Sequence, residues 1–426
     1  MYRAVSRCRI CGNSDLLPVL DLGQQALTGV FPARPDQEIA VGPLELVKCN
    51  DTAGQDTCGL VQLRHSYESH LIYGDNYGYR SGLNQSMIDH LRNKADSIKQ
   101  FTPLRPGDLV LDIGSNDGTL LRAMSEPGVD LIGMDPSGAK FKQYYPAEAQ
   151  LIAEAFSAAR FRREFGARRA RVVTSIAMFY DLESPLSFMQ DVQDVLAEDG
   201  IWVFEQSYLP YMLQMNSYDT VCHEHLEYYA VKQILWMCKR AGFKVVNIEL
   251  NSVNGGSFSV TVANANSAYL ENTTAIKQIL DDEANCHLDS LRVYREFSDR
   301  AFAHRDELTK CLNDMHAKGL RVLGYGASTK GNVILQFCGI TTKLIPAIAE
   351  VNADKFGCFT PQTLIPIISE AEARASKPDI FLVLPWHFRQ NIIGRERNFL
   401  QFGGKLLFPL PAIDLIDNVK SLSHWA

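Results

Sequence analysis

Residues 216–229 read NSYDTVCHEHLEYY and crowd His223, His225, Glu224, Glu227 and three tyrosines into one short segment. Histidine has the ordinary pKa nearest neutral pH, and a neighbouring carboxylate can orient or charge it, so the segment suits proton transfer. The two histidines stand at i and i+2, which do not share a helical face; this is not the helical HExxH zinc motif. In an extended chain His223 and His225 share a face and Glu224 points away. A polar surface loop or a satisfied hydrogen-bond cluster would use the same residue types.

The ten cysteines are unevenly placed: Cys8, Cys11, Cys49 and Cys58 fall in the first 58 residues, and the next is Cys222. Cys8-x2-Cys11 has the spacing of a reverse-turn knuckle that presents two thiolates to one metal. Cys49 and Cys58 can complete a tetrahedral zinc site with four thiolate ligands, although eight residues separate this second pair. A site closed by four cysteines has no open position, so its role is structural. On this reading Cys8→Ser lowers stability and metal content without a specific loss of chemistry. The six later cysteines read as scattered buried or free thiols.

Two glycine-rich turns follow apolar runs. VLDIGSNDGTLL joins a strand to a helix through Gly114-Ser115-Asn116-Asp117-Gly118, and the next strand, DLIGMD, ends in Asp135. Glycines let the chain turn tightly and let a ligand approach the backbone, and an acid at the end of the second strand can bind ribose hydroxyls. The spacing lacks the third glycine of a dinucleotide fingerprint. In VLGYGASTKGN, the second turn, Gly326, Ser328, Thr329 and Lys330 precede or open a helix. Backbone N–H groups at that helix N-terminus suit a pyrophosphate. The run is not a P-loop, and Thr329 stands where a dinucleotide fingerprint needs its third glycine. His387 and Arg389, at the end of a later strand, can line the same cleft.

These motifs sit on an α/β frame. Length alone, 426 residues, suggests roughly three domains. Residues 1–65 are loop-rich and would bury only a small core, which a metal would staple. Residues 66–268 open with an aromatic-rich stretch and a helix to about residue 100, and from 108 to about 265 strand and helix signals alternate, the pattern of a parallel sheet with helices on both faces. The last two strands flank SVNGG, a turn signal for an antiparallel pair at the sheet edge. Residues 269–426 begin with a charged helical bridge and then repeat an α/β pattern. With 46% hydrophobic and 21% charged residues the chain is not mostly disordered, and 42 − 49 = −7 net charge argues against a basic nucleic-acid binder. No apolar run of about 18 residues predicts a membrane span, and the first 25 residues lack a signal-peptide core, so a cytoplasmic location is expected.

Asp112-Ile113-Gly114-x-x-x-Gly118 with Asp135 resembles the S-adenosylmethionine site of class I methyltransferases. The resemblance implies that Gly114 and Gly118 lie under the methionine portion, Asn116 and Asp117 face its amino-acid end, and Asp135 holds the ribose. Glu154 and Phe156, after the third strand, are implied adenine contacts. The whole chain is similar to the C-methyltransferases of nucleotide-linked 4-keto-6-deoxy sugars. The N-terminal cysteine cluster, YGDNYGYRSGLN, LDIGSNDG, HEHLEYY and GYGASTKGN match that family in order.

That likeness implies an α/β protein of three parts: a small zinc-binding module, a class I methyltransferase Rossmann-like domain and a second Rossmann-like domain that binds the nucleotide sugar. Its cofactors would be S-adenosylmethionine and structural zinc. Its substrate would be a nucleotide-diphosphate keto-deoxy sugar, methylated at C3 through an enolate, with no nucleic-acid or membrane partner. His225 is the implied base, Glu224 positions it, His223 stands beside it, and Tyr77 and Tyr79 are implied donors or sugar contacts. Tyr228, Gly326, Ser328, Thr329, Lys330 and Asn332 are implied substrate contacts. Two departures bear on this transfer. Cys222 stands where some members carry a tyrosine before HEH, and SIAMFYDLESP lacks the histidine that some carry after the fourth strand, so either Tyr180 or Asp181 takes over or the substrate differs. An O- or N-methyltransferase, a zinc-ribbon binding protein and a two-Rossmann oxidoreductase are the competing classes.

Overall fold

The computed structural model describes residues 2–50, 56–72 and 79–417. Its largest sheet has seven strands, in the order Phe243–Asn251, Ser257–Asn264, Leu196–Ser207, Ala170–Ile176, Leu109–Ile113, Asp130–Met134 and Ala149–Ile152. The last five run parallel, while Ser257–Asn264 is antiparallel to both neighbours. The SVNGG turn therefore closes an antiparallel edge, as expected. Alternate strand residues feed two cores. Leu109, Leu111, Val173, Trp202 and Phe204 pack with Phe161, Met189, Ile234 and Met237 on one face. Val110, Leu131, Val172 and Val203 pack with Met87, Leu91, Leu121 and Met124 on the other. Period-2 side chains covered by helices on both faces explain the nearly continuous apolar strands.

The second α/β sheet runs Ile367–Ser369, Ile348–Glu350, Val322–Tyr325, Ile380–Val383, Lys405–Phe408 and Asp414–Ile416. Its first five strands are parallel and the last is antiparallel. In chain order this is 3-2-1-4-5, the doubly wound order, and ligands sit where that order reverses, outside the C-terminal ends of strands one and four. The glycine loop 326–330 leaves the first strand at that point. The bridge between the two sheets is the pair of helices Thr273–Asn285 and Leu291–Ala317. In the longer helix Tyr294, Phe297, Ala301, His304, Leu308, Leu312 and Met315 are buried. Their three-to-four spacing makes one buried stripe, and the charged remainder is solvated.

The N-terminal sheet contains a finding the sequence did not disclose. Its strands are Leu16–Ala26, Val41–Cys49, Val61–Leu63 and, as the fourth, Glu227–Tyr228 from the histidine segment. Glu227 pairs with Gln62 and Tyr228 with Val61. Leu63 N donates to Leu226 O at 2.9 Å, and Leu226 N donates to Tyr180 O at 2.8 Å. The histidine segment is thus a strap tied on one side to the cysteine module and on the other to the seven-stranded sheet. One continuous core carries Leu20 and Leu44 of the module, Leu213, Tyr218 and Cys222 of the strap region, and Leu308, Val322 and Val333 beyond it.

Candidate active site

The strap does not run extended through HEH. Residues 223 and 224 form a turn, and His225 N donates to Cys222 O at 3.2 Å. The expected shared face of His223 and His225 is therefore corrected: the turn rotates them apart. His223 and Glu224 both reach Thr28 of the N-terminal module. Thr28 Oγ1 lies 3.3 Å from His223 Nδ1 and donates to Glu224 Oε2 at 3.4 Å. His223 is fully buried, edge-on to Tyr67 with ring centroids 4.7 Å apart. His225 goes the other way and is half-buried.

His225 Nδ1 lies 2.8 Å from the carbonyl of Thr220, so Nδ1 carries the hydrogen and donates it. The Nε2 lone pair is then left for a proton, which is the tautomer a general base needs. The Tyr180 ring packs on the imidazole with centroids 4.3 Å apart. Tyr180, one of the two residues offered in place of the family histidine, thus touches His225 through its ring. Tyr228 is buried, and its hydroxyl donates to the same Thr220 carbonyl at 3.4 Å. It therefore supports the groove that holds His225. Cys222 is fully buried in the core behind the strap.

Burial, helped by the Lys330 charge, pushes His225 down to about 3, and burial pushes His223 down to about 4. Both are neutral at pH 7. An unfolded chain binds these protons below about 6.5, whereas the folded chain refuses them until about 4 and 3. The two histidines therefore add stability that rises with pH between about 4 and 6.5 and levels off above, by up to ~1.4 kcal/mol per pH unit for each fully excluded proton. Asp112, which burial raises to about 7, and Glu224, also raised by burial, contribute with the opposite sign over that interval. The histidine share is read from the difference between wild type and His223→Gln: the variant's thermal midpoint is expected to gain on the wild type's at pH 5 relative to pH 7. An equal difference at the two pH values would contradict a neutral buried His223.

Glu224 is packed against Gly29 of the N-terminal module. A Cβ on Gly29 would overlap Glu224 Oε1 and lie 3.3 Å from its Cδ and 3.6 Å from Thr329 Oγ1. Burial raises the Glu224 carboxyl. Gly29→Ala is expected to push this side chain aside and lower kcat by roughly ten- to hundredfold, the scale of an ångström of misplacement. Steady-state kinetics of a folded Gly29→Ala enzyme checks this; an unchanged kcat would remove Glu224 from the chemistry.

The C-terminal loop and the helix after it pack against Thr28 and Gly29 of the N-terminal module. Gly326 has φ 81°, and a Cβ there would strike Pro385 at 2.7 Å. Ser328 caps the helix Thr329–Phe337, accepting from Gly331 N at 3.0 Å. Asn332 is buried and donates through Nδ2 to Thr28 O at 2.7 Å. Lys330 Nζ donates to Asn254 O at 2.8 Å, across to the edge turn of the seven-stranded sheet. Its charge is felt at His225 and His387. Asp219, fully buried on the strap, accepts from Trp386 Nε1 at 2.7 Å. Thr28, Gly29, Asp219, Thr220 and Trp386 were not singled out from the sequence; Thr28, Gly29, Asp219 and Trp386 carry no local signal because each acts through a partner far away in the chain, and Thr220 acts through its backbone carbonyl, which residue type does not mark. Arg389 pairs with Asp414 at the outer strand.

The first glycine turn has the expected form. Gly114, Asn116 and Gly118 take left-handed φ of 72°, 48° and 73°. A Cβ on Gly114 would meet Met178 at 2.9 Å, and one on Gly118 would meet Tyr145 at 3.1 Å. Asp135 closes the turn: Oδ2 accepts from Asn116 N at 2.8 Å and Oδ1 from Ser137 N at 2.7 Å. Asp112 is buried against Thr174 Oγ1 at 2.7 Å, and burial raises its carboxyl to about 7. Asn116 and Asp117 accept from Ser81 N and Gly82 N, both at 2.9 Å, and so dock the aromatic segment on the turn. Tyr79 precedes that contact with 47% of its surface exposed; Tyr77 lies outside the described residues. Glu154 pairs with Arg160 at 2.9 Å on the exposed surface, and Phe156 packs on Phe188 with centroids 5.5 Å apart. Two left-handed glycines and an acid at adjacent strand ends fit a nucleoside-bearing cofactor.

The four cysteine sulfurs lie within 4.8 Å of one another. Cys8 Sγ and Cys58 Sγ are 3.4 Å apart, and Cys11 Sγ and Cys49 Sγ 3.5 Å. A tetrahedron with Zn–S near 2.3 Å has edges of about 3.8 Å, so the set fits zinc. Gly12 N donates to Cys8 O at 2.9 Å and Cys8 N to Asn13 O at 2.8 Å, which forms the knuckle. The long Cys49–Cys58 spacing is accommodated because Cys49 N donates to Leu60 O at 2.7 Å, bringing both strands level. Among the described residues no helix is long and apolar enough to cross a membrane.

Three family models match successive stretches: "Putative zinc binding domain" over residues 8–73, "Methyltransferase domain" over 87–248 and "C-methyltransferase C-terminal domain" over 252–411. The C-methyltransferase NovU of Streptomyces niveus is 31% identical over 428 residues, covering 99% of each chain. Among solved structures, the complex of the Haloferax volcanii Trm112 methyltransferase activator with a methyltransferase matches at 14% identity and a TM-score of 0.35, covering 43% of this chain and 94% of that one. The Burkholderia thailandensis 1,6-didemethyltoxoflavin-N1-methyltransferase matches at 12% identity and a TM-score of 0.33, covering 41% and 78%.

Proposed function

This chain belongs to the S-adenosylmethionine-dependent C-methyltransferases that join a zinc-binding domain, a methyltransferase domain and a C-methyltransferase C-terminal domain, and from that premise we propose that it methylates C3 of a nucleotide-linked 4-keto-6-deoxy sugar. The observation that carries this reading is the fixed tautomer of His225, with Nδ1–H on Thr220 O and Nε2 open. A carbon must become nucleophilic before it can take a methyl group. A proton α to a ketone is the accessible choice, and its removal needs a neutral base held in a water-poor groove.

His225 Nε2 takes the C3 proton, and the carbonyl oxygen gathers the enolate charge. Lys330, held on Asn254 O, supplies positive charge on that side of the cleft. The same charge depresses the free His225, so an anionic substrate that neutralises Lys330 makes the imidazole a better base when it is needed. Glu224, locked by Thr28 and Gly29, holds the strap beside His225. S-adenosylmethionine, when bound at the Gly114–Gly118 turn and Asp135, supplies the electrophilic methyl group. Asp117 and Asn116 would face its amino-acid end while anchoring the aromatic segment.

The test is mass spectrometry with S-adenosylmethionine and a panel of nucleotide-linked 4-keto-6-deoxy sugars in deuterated water. A gain of one methyl group with loss of the C3 hydrogen is the expected result. Deuterium exchange at C3 without S-adenosylmethionine would separate the enolate route from O- or N-methylation. Intact S-adenosylmethionine binding with no product across the panel would overturn the sugar assignment.

A further inference from the structure

The turn Trp386–Phe388 follows Ile380–Val383, the fourth strand in chain order of the doubly wound sheet, and carries His387. It therefore stands outside a strand end where such sheets place their ligands. Trp386 Nε1 donates to Asp219 Oδ2 at 2.7 Å. The residue after Asp219 is Thr220, whose carbonyl accepts from His225 Nδ1 at 2.8 Å. One hydrogen bond thus joins the anchor of His387 to the anchor of His225. The edge turn of the seven-stranded sheet meets the same place. A Cβ on Gly255 would lie 3.3 Å from the Trp386 ring and 3.8 Å from His387 Cβ, and Asn254 O accepts from Lys330 Nζ at 2.8 Å.

The two imidazoles are left in complementary states. His225 commits its Nδ1 hydrogen to Thr220 and keeps the Nε2 lone pair. His387 is half-buried, and among the described residues it makes no hydrogen bond. Its Nδ1 is buried with no partner, whereas its Nε2 is not buried. A buried N–H without an acceptor is the rarer and costlier defect, so the hydrogen belongs on Nε2, where another molecule can accept it. The rings of Trp386 and Phe388 pack on the imidazole with centroids 5.9 and 4.3 Å away and hold its orientation. Burial and the Lys330 charge lower His387 well below the ordinary histidine value, so the ring is neutral at pH 7.

We propose that His387 is a second catalytic residue, a donor whose Nε2–H hydrogen-bonds the C4 oxygen of the substrate as the enolate forms. The inference rests on the keto-sugar reading above and gives the enolate oxygen a partner from the C-terminal domain. In this step His225 Nε2 takes the C3 proton, the C3–H electron pair becomes the C3–C4 double bond, and the carbonyl π pair moves onto oxygen. His387 keeps its hydrogen throughout. When C3 takes the methyl group, the S–CH3 pair stays on sulfur, the C4 carbonyl re-forms, and His225 releases its proton to solvent. A fixed N–H aimed where charge develops stabilises the transition state more than the ketone. Lys330, engaged on Asn254 O, acts on the same oxygen through its charge.

Kinetics and C3 deuterium exchange on the full-length, zinc-loaded protein, with the same panel of keto sugars, test this. His387→Ala is expected to lower kcat and the exchange rate together by roughly a hundredfold to a thousandfold, the cost of one oxyanion donor, with KM for the sugar and S-adenosylmethionine affinity within about threefold. His387→Gln, whose amide nitrogen reaches the Nε2 position, should recover at least about tenfold of that loss. In nitrogen NMR spectra of histidine-labelled wild type at pH 7, the signal that disappears in His387→Gln should be a neutral imidazole with its hydrogen on Nε2. The hydrogen found on Nδ1, a kcat of His387→Ala within about threefold of wild type, a loss confined to KM, or exchange retained while turnover is lost would each overturn the role of His387 and leave the substrate reading standing. No exchange by wild type with any sugar of the panel would overturn the enolate reading and this role with it.

Discussion

His225→Ala is expected to lower kcat by at least about a hundredfold while S-adenosylmethionine affinity stays within about twofold, because a positioned base contributes roughly that factor or more. The separation is built into the fold. His225 hangs from Thr220 O on the strap, whereas the glycine turn proposed for the cofactor, Gly114 to Gly118, closes on Asp135 two strands across the sheet. The imidazole bonds to nothing in that turn. C3 deuterium exchange in the keto sugar should vanish with turnover, since both need the same proton transfer. Loss of turnover with exchange retained would assign His225 to methyl transfer instead. Near-normal turnover would move the base elsewhere, with Tyr79 the first candidate.

Removal of the zinc site is expected to abolish activity as well as stability. The spacing of the cysteines alone suggested a staple independent of the chemistry. The structure ties that staple to the strap. Cys58 O accepts from Gln233 Nε2 at 2.8 Å, and Val61 and Gln62, three and four residues on, pair with Tyr228 and Glu227 of the strap. Structural zinc contributes on the order of 10 kcal/mol to folding of a small module, so its loss frees the strand Val61–Leu63 and with it the strap that carries His225. Cys8→Ser and Cys58→Ser should therefore lose metal, melt earlier and lose kcat together. Metal analysis, melting and kinetics on one preparation check this. Full activity in a metal-free variant would separate the module from the active site.

These two outcomes depend on different amounts of long-range information. The sequence by itself determined what is local. Four cysteines in 58 residues named a metal set, and glycines at 114 and 118 marked a turn that only left-handed backbone completes. Alternating strand and helix runs indicated two mostly parallel sheets, because continuous apolar strands set between helical runs are a local pattern. The charged stretch before residue 318 read as a helical bridge for the same reason. Even the HEH segment stood out, because its chemistry is dense along the chain.

Only the tertiary structure decided what each histidine touches. An extended strap would have put both on one face; the turn at residues 223 and 224 gives His223 to Thr28 and leaves His225 to Thr220. Glu224 is held by a glycine 195 positions earlier, since only a missing side chain at residue 29 leaves room for its carboxylate. Lys330 turns toward Asn254, and Lys355 folds back on Ala327. Such choices are settled by desolvation and by which distant donor or acceptor arrives, and neither quantity is carried by residue type or spacing.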